Sequence, residues 1–301
     1  MILTHRVQRE TKLLSILRRE LGLSSTLVNR LKFKQVYRVN GQPVFTNYLV
    51  RPGDLVTVTL EEETPVYPAE DVPLSILYED EALIALDKPP GMMVHPSSAR
   101  NTGTLANALT FYYRSTGQAC AVHPVSRLDR DTFGVVLLAK NAHIHAKMCA
   151  QSKAGGIEKI YHAAVWGGPE PETGCIEAPI ARLSPTGMLR CVRADGKPAR
   201  TAWRVLDRGE LCGRAVSLLE LRALTGRTHQ LRVHCAHMGW PILGDPQYAP
   251  EDCRARSASL GLGWQQLCAA RLGFTHPMTE KFVEIWTKQS VSLDFSPGRD
   301  V

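Results

Sequence analysis

One carboxylate, Asp129, lies between Arg127 and Arg130 in the segment 126–134, whose sequence is SRLDRDTFG. The apolar run VVLLA at 135–139 follows directly and predicts a buried strand. The charged residues would therefore lie at the mouth of a strand, where a carboxylate beside fixed cations stays ionised. A carboxylate held in this way can act as a nucleophile, and arginines can bind phosphate. The segment thus indicates chemistry on a nucleic acid, or alternatively surface ion pairs of little energy.

A second polar cluster lies in the segment 225–234, whose sequence is TGRTHQLRVH. A glycine turn leads into a predicted helix over 228–237, and Arg227 stands at its start, within reach of a neighbouring carboxylate. His229, Gln230 and Arg232 would then line a groove that binds RNA. The alternative is a solvated basic helix face, which suits Arg232 but is expensive for so many large polar residues together.

Two further segments carry candidate side chains. Lys159 and Tyr161 alternate in the segment KIYHA at 159–163 and would share one face of a strand. A tyrosine that faces a cleft can stack on a base, although a core position is the commoner place for this residue. His95 follows a rigid Pro-Pro-Gly turn at 89–91, where it would be a ligand, a base or a structural turn histidine.

Composition limits the class of protein. Hydrophobic content is 44% and charged content 22%, as in soluble globular proteins. Apolar runs are too short to span a bilayer, and residues 1–9 lack a secretory apolar stretch, so we expect a cytoplasmic protein with no membrane contact. The eight cysteines show no C-x-x-C spacing. This argues against a zinc ribbon or a redox dithiol, and we expect no metal site and free thiols.

The first sixty residues predict a small basic module, with ten Lys and Arg against three Asp and Glu. Such an excess of positive charge favours polyanions. The pattern predicts an amphipathic helix over 11–21 that ends at Gly22, and a second helix capped by Ser24 or Ser25. Strands follow at 36–39 and 55–60, with turns at Asn40-Gly41 and 51–54.

This module resembles the RNA-binding domain first described in small-subunit ribosomal protein four. The resemblance covers about fifty residues and rests on the two helices, the basic residues Arg30, Lys32 and Lys34, and the stretches 39–41 and 50–54. It implies an RNA-binding domain over 1–60. An acidic, proline-rich linker would follow at 61–74, and a catalytic domain at 75–301.

The remaining chain alternates strand-like and helix-like segments without the strict βαβ rhythm of a Rossmann fold. Strands are predicted at 74–78, 83–87, 160–166, 201–207 and 215–223, and helices at 104–113, 142–151 and 228–237. The turn-rich stretch 239–248 and the segment 267–277 would form the scaffold of the site.

From about residue 74 to 288 the motifs together resemble the RluA family of pseudouridine synthases. The family pattern H-R-L-D-x-x-T-S-G corresponds to residues 126–134, where Ser126 stands in place of His and Phe133 in place of Ser. The resemblance implies an α+β fold: a catalytic core with a large mixed, mainly antiparallel sheet flanked by helices, plus a small N-terminal α/β RNA-binding domain. The two departures leave the nucleophile in place, but they put the usual handling of the target loop in doubt.

The resemblance also implies roles for single residues. Asp129 would be the nucleophile, Arg227 would pair with it, and Tyr161 would stack on the extracted uracil. Arg127 would displace the target base, and Leu231 would pack under the site. The further RNA contacts would come from Arg130, Lys159, His229, Gln230, Arg232, Arg30, Lys32 and Lys34. Isomerisation of uridine adds and removes no atoms, so we expect no cofactor and no metal.

Three functions remain open at this point. The first is a monomeric RNA pseudouridine synthase, for which the N-terminal module favours large-subunit ribosomal RNA over tRNA. The second is a non-catalytic RNA-binding factor for ribosome assembly. The third is a glycosidase, which would need a second acid, and Asp131 is the near candidate.

Overall fold

The computed structural model describes residues 1–60, 67–96 and 101–294. Residues 1–60 form a small α/β unit with a four-stranded sheet of order β1-β6-β3-β4 and a separate β2-β5 pair. Its elements are β1 Ile2–Arg6, β2 Thr11–Lys12, α1 Leu13–Ser15, a π-helical turn Ile16–Glu20, α2 Ser25–Leu31, β3 Tyr37–Val39, β4 Gln42–Pro43, β5 Leu49–Val50 and β6 Leu55–Thr59. Its buried side chains form their own apolar cluster, drawn from residues 3 to 60.

The predicted helix caps and the hairpin turn of this unit are confirmed. Gly22 has φ +66° just after the first helical segment, and the Ser24 hydroxyl accepts a hydrogen bond from the Leu27 N–H at 3.1 Å. Asn40 and Gly41 both have positive φ in the β3–β4 turn, as a tight hairpin requires.

The first predicted helix begins two residues later than expected. Thr11 and Lys12 instead pair with β5 as strand β2, so the helical segment starts at Leu13. Strand β1 was not predicted, because its short sequence ILTHR has only two strongly apolar residues. It pairs along its whole length with β6, which buries Leu3.

Residues 67–96 and 101–294 are organised around a ten-stranded sheet of order β12-β15-β16-β11-β17-β10-β8-β7, with β18 beside β17 and β9 beside β10. Strands β13 and β14 pair with each other in a separate two-stranded sheet. The strands are β7 Ile76–Glu79, β8 Leu83–Lys88, β9 His123–Pro124, β10 Phe133–Ala139, β11 Ile157–Trp166, β12 Thr173–Glu177, β13 Ile180–Arg182, β14 Arg190–Val192, β15 Arg200–Leu211, β16 Arg214–Ala223, β17 Leu267–Thr275 and β18 Phe282–Trp286. The helices are α3 Leu105–Ser115, α4 Ala142–Lys153, α5 Gln230–His237 and α6 Glu251–Ser259. The predicted α+β class with a mainly antiparallel mixed sheet is confirmed.

Strand β10 is covered on both faces, which explains its continuous apolar run. Val135 and Leu137 pack in one cluster with Ile144 of α4. Val136 and Leu138 pack in another cluster that contains the apolar face of α3. The alternation of a strand therefore places successive residues in two separate cores.

Strand β10 meets β17 in parallel over a short stretch, Phe133 opposite Cys268 and Gly134 opposite Ala269. Gly134 has φ +100°, and a Cβ at this position would collide with the Ala269 carbonyl oxygen. Glycine is therefore required where the 126–132 loop enters the sheet. Within the three described stretches, no helix is both long and apolar enough to cross a membrane.

Candidate functional site

Asp129 lies on the loop that joins β9 to β10, and its side chain is 29% exposed. A turn closes the loop, because the Thr132 N–H donates to the Asp129 carbonyl at 3.2 Å. The Thr132 hydroxyl accepts a hydrogen bond from the buried Gln265 amide at 2.7 Å. The loop that carries the carboxylate is thus fastened to the sheet beside it.

Lys88 holds the same loop from the other side. Its ammonium donates to the carbonyl of Arg130 at 2.7 Å, and also to those of Pro89 and Met92 at 2.9 and 2.8 Å. Burial lowers the pKa of Lys88 to about 7, although the charges of Asp131 and Asp129 act in the opposite direction. The sequence analysis did not assign Lys88 to the site. The signal that could have found it is a single cation at the end of an apolar strand.

Arg232, on α5, is the cation that contacts Asp129. Its Nη1 lies 3.3 Å from Asp129 Oδ2, while Nε and Nη2 each donate at 2.8 Å to the two oxygens of Asp245. Nη2 also donates to the Gln247 side chain at 2.9 Å. Burial acts to lower the pKa of Arg232, but hydrogen bonds and charge from Asp245, together with Asp129, raise it above its usual value.

The predicted pair between Arg227 and Asp129 was wrong. The Arg227 Nε donates instead to the Pro198 carbonyl at 3.0 Å. The reason is local: His229 adopts a left-handed backbone with φ +56°, so α5 begins only at Gln230 and Arg227 lies in the turn before it. The residue that α5 directs to the carboxylate is Arg232.

Two predicted RNA contacts of this segment are also corrected. Gln230 is 4% exposed, and its amide donates to the Arg200 carbonyl and the Thr201 hydroxyl at 2.9 and 3.0 Å. Arg232 is likewise 4% exposed and is engaged with the two aspartates described above. Both side chains form their hydrogen bonds within the protein, so neither lines an open groove.

His229 lies on the opposite side of the Asp129 carboxylate. Its Nε2 is 3.9 Å from Asp129 Oδ1, and its Nδ1 is 2.7 Å from the Tyr248 hydroxyl. That hydroxyl accepts the Arg190 N–H at 2.9 Å. Burial lowers the pKa of His229, with the charge of Asp129 acting against it.

Tyr161 on β11 is the aromatic residue of the site. It packs against the apolar cluster that contains buried Leu231. Burial raises the pKa of Tyr161 to about 12, and the negative charge of Asp129 adds to this effect. The phenol is therefore neutral across the physiological pH range.

The other predicted RNA contacts differ in accessibility. Arg127 is exposed, and Arg130 is also exposed but forms two 2.9 Å hydrogen bonds with Asp131. Lys159 is half-buried, and burial lowers its pKa. In the N-terminal unit Arg30, Lys32 and Lys34 are exposed, as are the other seven lysines and arginines of residues 1–60.

The carboxylates around the loop are paired with different cations. Asp129 is bound by Arg232 and Asp131 by Arg130, so the structure offers no argument for a two-acid glycosidase. In the described part of the chain, no group of three or more His, Cys, Asp or Glu side chains is placed to hold a metal ion.

Known proteins match this chain over most of its length. A family profile described as RNA pseudouridylate synthase matches residues 82–237. The chain is 35% identical over 265 residues to an uncharacterized RNA pseudouridine synthase of Bacillus subtilis, YjbO, covering 87% of this chain and 90% of the relative. It is 37% identical over 216 residues to ribosomal large subunit pseudouridine synthase D of Pseudomonas aeruginosa, covering 69% and 66%. The solved human RNA pseudouridylate synthase domain containing 1 superposes with a TM-score of 0.61 at 27% identity, covering 74% of this chain and 86% of that one.

Proposed function

The chain belongs to the RNA pseudouridylate synthase family, whose members are isomerases acting on RNA, and we propose that it modifies uridines of large-subunit ribosomal RNA with Asp129 as nucleophile. The observation that carries the proposal is the carboxylate itself. Asp129 is partly open to solvent, contacts a buried arginine at 3.3 Å, and lies on a loop tied to the sheet by Lys88 and Gln265.

The reaction moves the glycosidic bond of uridine from N1 to C5 of the base. In the proposed course, Asp129 attacks the anomeric carbon as the bond to N1 breaks, and the uracil keeps the electron pair. The base turns, C5 forms the new bond and displaces the carboxylate, and a proton passes from C5 to N1. Atoms balance without a co-reactant, and Arg232, 3.3 Å from the carboxylate, holds it in place for attack.

The uridine must leave its stack before the carboxylate can reach it, which costs a few kcal/mol. Stacking of the extracted base on Tyr161 would return about 1–3 kcal/mol. Exposed Arg127, two residues before the nucleophile, would occupy the place that the base has left. We assign these roles because Arg127 lies close to Asp129 along the chain. Tyr161 lies close enough to Asp129 in space for the charge of the carboxylate to raise its pKa.

We propose a division into an RNA-binding domain at 1–60 similar to that of ribosomal protein four, a linker at 61–74 and a catalytic domain at 75–301. Residues 61–66 of that linker lie outside the described residues. The separate core of residues 3–60 and the exposed Arg30, Lys32 and Lys34 support the first assignment. Relatives named ribosomal large subunit pseudouridine synthase D support ribosomal RNA over tRNA. We also propose that the protein acts as a monomer in the cytoplasm.

The test is pseudouridine mapping of total RNA from cells with and without the gene. We expect one or more ribosomal sites to disappear and to return with the wild-type protein but not with Asp129→Asn. Restoration by Asp129→Asn would refute the nucleophile. A site lost from tRNA alone would refute the ribosomal target, and no lost site would favour the assembly-factor alternative.

A further inference from the structure

Three histidines from three separate elements come together near the loop of Asp129. His95 follows β8, His123 lies on β9 and His145 lies on α4. The rings of His123 and His145 are stacked, with centroids 5.5 Å apart and 25° between their planes. His145 Nε2 is 3.2 Å from the Pro124 carbonyl, and the His95 ring centroid is 5.7 Å from that of Tyr67. All three histidines are half-buried.

The charged groups that act on His95 are basic. Arg127 and the other two histidines act on His95, and all of them lower its pKa in addition to burial. Burial lowers the pKa of His145, and the charge of His123 adds a smaller effect in the same direction. The hydrogen bond of His145 to the Pro124 carbonyl acts in the opposite direction. Cys149, one turn further along α4, lies 3.3 Å from His145, and Lys159 interacts with this thiol from β11.

We propose that the histidine cluster is a subsite for a phosphodiester of the RNA strand beside the target uridine, and that RNA binding there is coupled to proton uptake by the histidines. The inference rests on the proposed function, since it assumes an RNA substrate. His123 lies on β9, whose end leads directly into the Asp129 loop, so a phosphate held at the cluster lies beside that loop.

The chemistry favours an anion over a metal ion. Protonated imidazoles only donate hydrogen bonds, which suits phosphate oxygens. Without an anion, burial and the neighbouring positive charges disfavour the protonated forms of His95 and His145. A bound phosphodiester reverses this, because its negative charge stabilises each imidazolium, and protons are then taken up as RNA binds.

The experiment measures affinity for a short labelled RNA hairpin with uridines in its loop, using the full chain between about pH 6 and pH 8, the range in which histidine titrates. Each proton taken up increases the affinity by up to about tenfold for each unit by which the pH falls. Each phosphate contact also steepens the dependence of log K on log salt by about 0.7 for single-stranded RNA. We expect wild type to show both effects at low pH, and His123→Gln with His145→Gln to lose them.

Two further variants complete the test. His237→Gln, which changes an exposed histidine at the end of α5, should behave like wild type. His123→Arg supplies a permanent charge and should keep high affinity at about pH 8, where histidine is neutral. The proposal is overturned if the glutamine variants retain the wild-type pH and salt dependence, or if His123→Arg binds no better than wild type at high pH. Pseudouridine formation, measured separately on the same RNA, shows whether the proposed function holds when this subsite does not.

Discussion

Exchanging each of the two candidate arginines for lysine tests which of them serves Asp129. Arg232 holds Asp245 through two 2.8 Å bonds and still reaches Asp129 at 3.3 Å. A lysine has one nitrogen, so in Arg232→Lys it would stay with the buried Asp245 and lie roughly 6 Å or more from Asp129. Arg227 has no such double contact, because its guanidinium donates to the Pro198 carbonyl.

The magnitude follows from these distances. At 3.3 Å, with an effective dielectric constant of about 20, the attraction between the two charges is about 5 kcal/mol, and at about 6 Å it is roughly half. In the proposed course C5 displaces the carboxylate from the anomeric carbon, and a loss of about 2 kcal/mol in the stabilisation of that departing carboxylate corresponds to a decrease in kcat of about 30-fold. Loss of one of the two charged hydrogen bonds to Asp245 should also lower the free energy of unfolding by about 2 kcal/mol.

The assay is release of tritium from RNA labelled at C5 of uridine, together with urea unfolding of each variant. Arg227→Lys is the matched control and should change kcat by less than about threefold and stability by less than about 1 kcal/mol. A larger decrease in kcat for Arg227→Lys than for Arg232→Lys would show that the ion pair of the structure is not the one used in catalysis.

Three further changes test other parts of the site. Because the proposed role of the Tyr161 ring is to stack on the base, Tyr161→Phe should keep turnover within about threefold of wild type. Tyr161→Ala should lower turnover by about 10- to 100-fold. Equal decreases in both variants would instead implicate the hydroxyl. Lys88→Met should lower the free energy of unfolding by about 3 kcal/mol or more in urea denaturation, because three carbonyls lose their donor, and a wild-type kcat in this variant would show that the Asp129 loop does not need this support. Burial, with the charge of Lys147, lowers the pKa of buried His143 to about 4. As the pH falls from about 6.5, the unfolded chain therefore takes up a proton on this histidine and the folded protein does not. About 3 kcal/mol of the free energy of unfolding should be lost by pH 4. His143→Leu should reduce this acid sensitivity in thermal unfolding, while His237→Gln should keep it.

The parts of the site that could be predicted from the sequence are those set by local chemistry. Asp129 precedes an apolar strand, and that strand is buried on both faces as its composition indicates. The Ser24 cap and the Asn40-Gly41 turn depend on only a few neighbouring residues, and both are present.

The parts that failed depend on backbone conformation or on distant partners. A left-handed His229 was not expected, since residues other than glycine seldom adopt positive φ, and it moved the start of α5 past Arg227. Gln230 is buried because Arg200 and Thr201, about thirty residues earlier, supply its partners. No local pattern contains that information.

The two departures from the family pattern acquire a structural explanation that the sequence did not provide. The Ser126 hydroxyl accepts the Leu137 N–H at 3.3 Å, which ties the start of the Asp129 loop to β10. Phe133 is buried in a cluster with Trp166 and Leu243, so its ring serves the core and not the RNA. Because both residues face inward, the imidazole missing at 126 is not replaced there. The nearest imidazole along the chain is His123, one strand residue before Pro124 and part of the basic surface beside Arg127. The loop itself therefore lacks the histidine of the family pattern at 126. His123 lies in the strand just before the loop, where a strand of RNA rather than the reacting base would meet this imidazole.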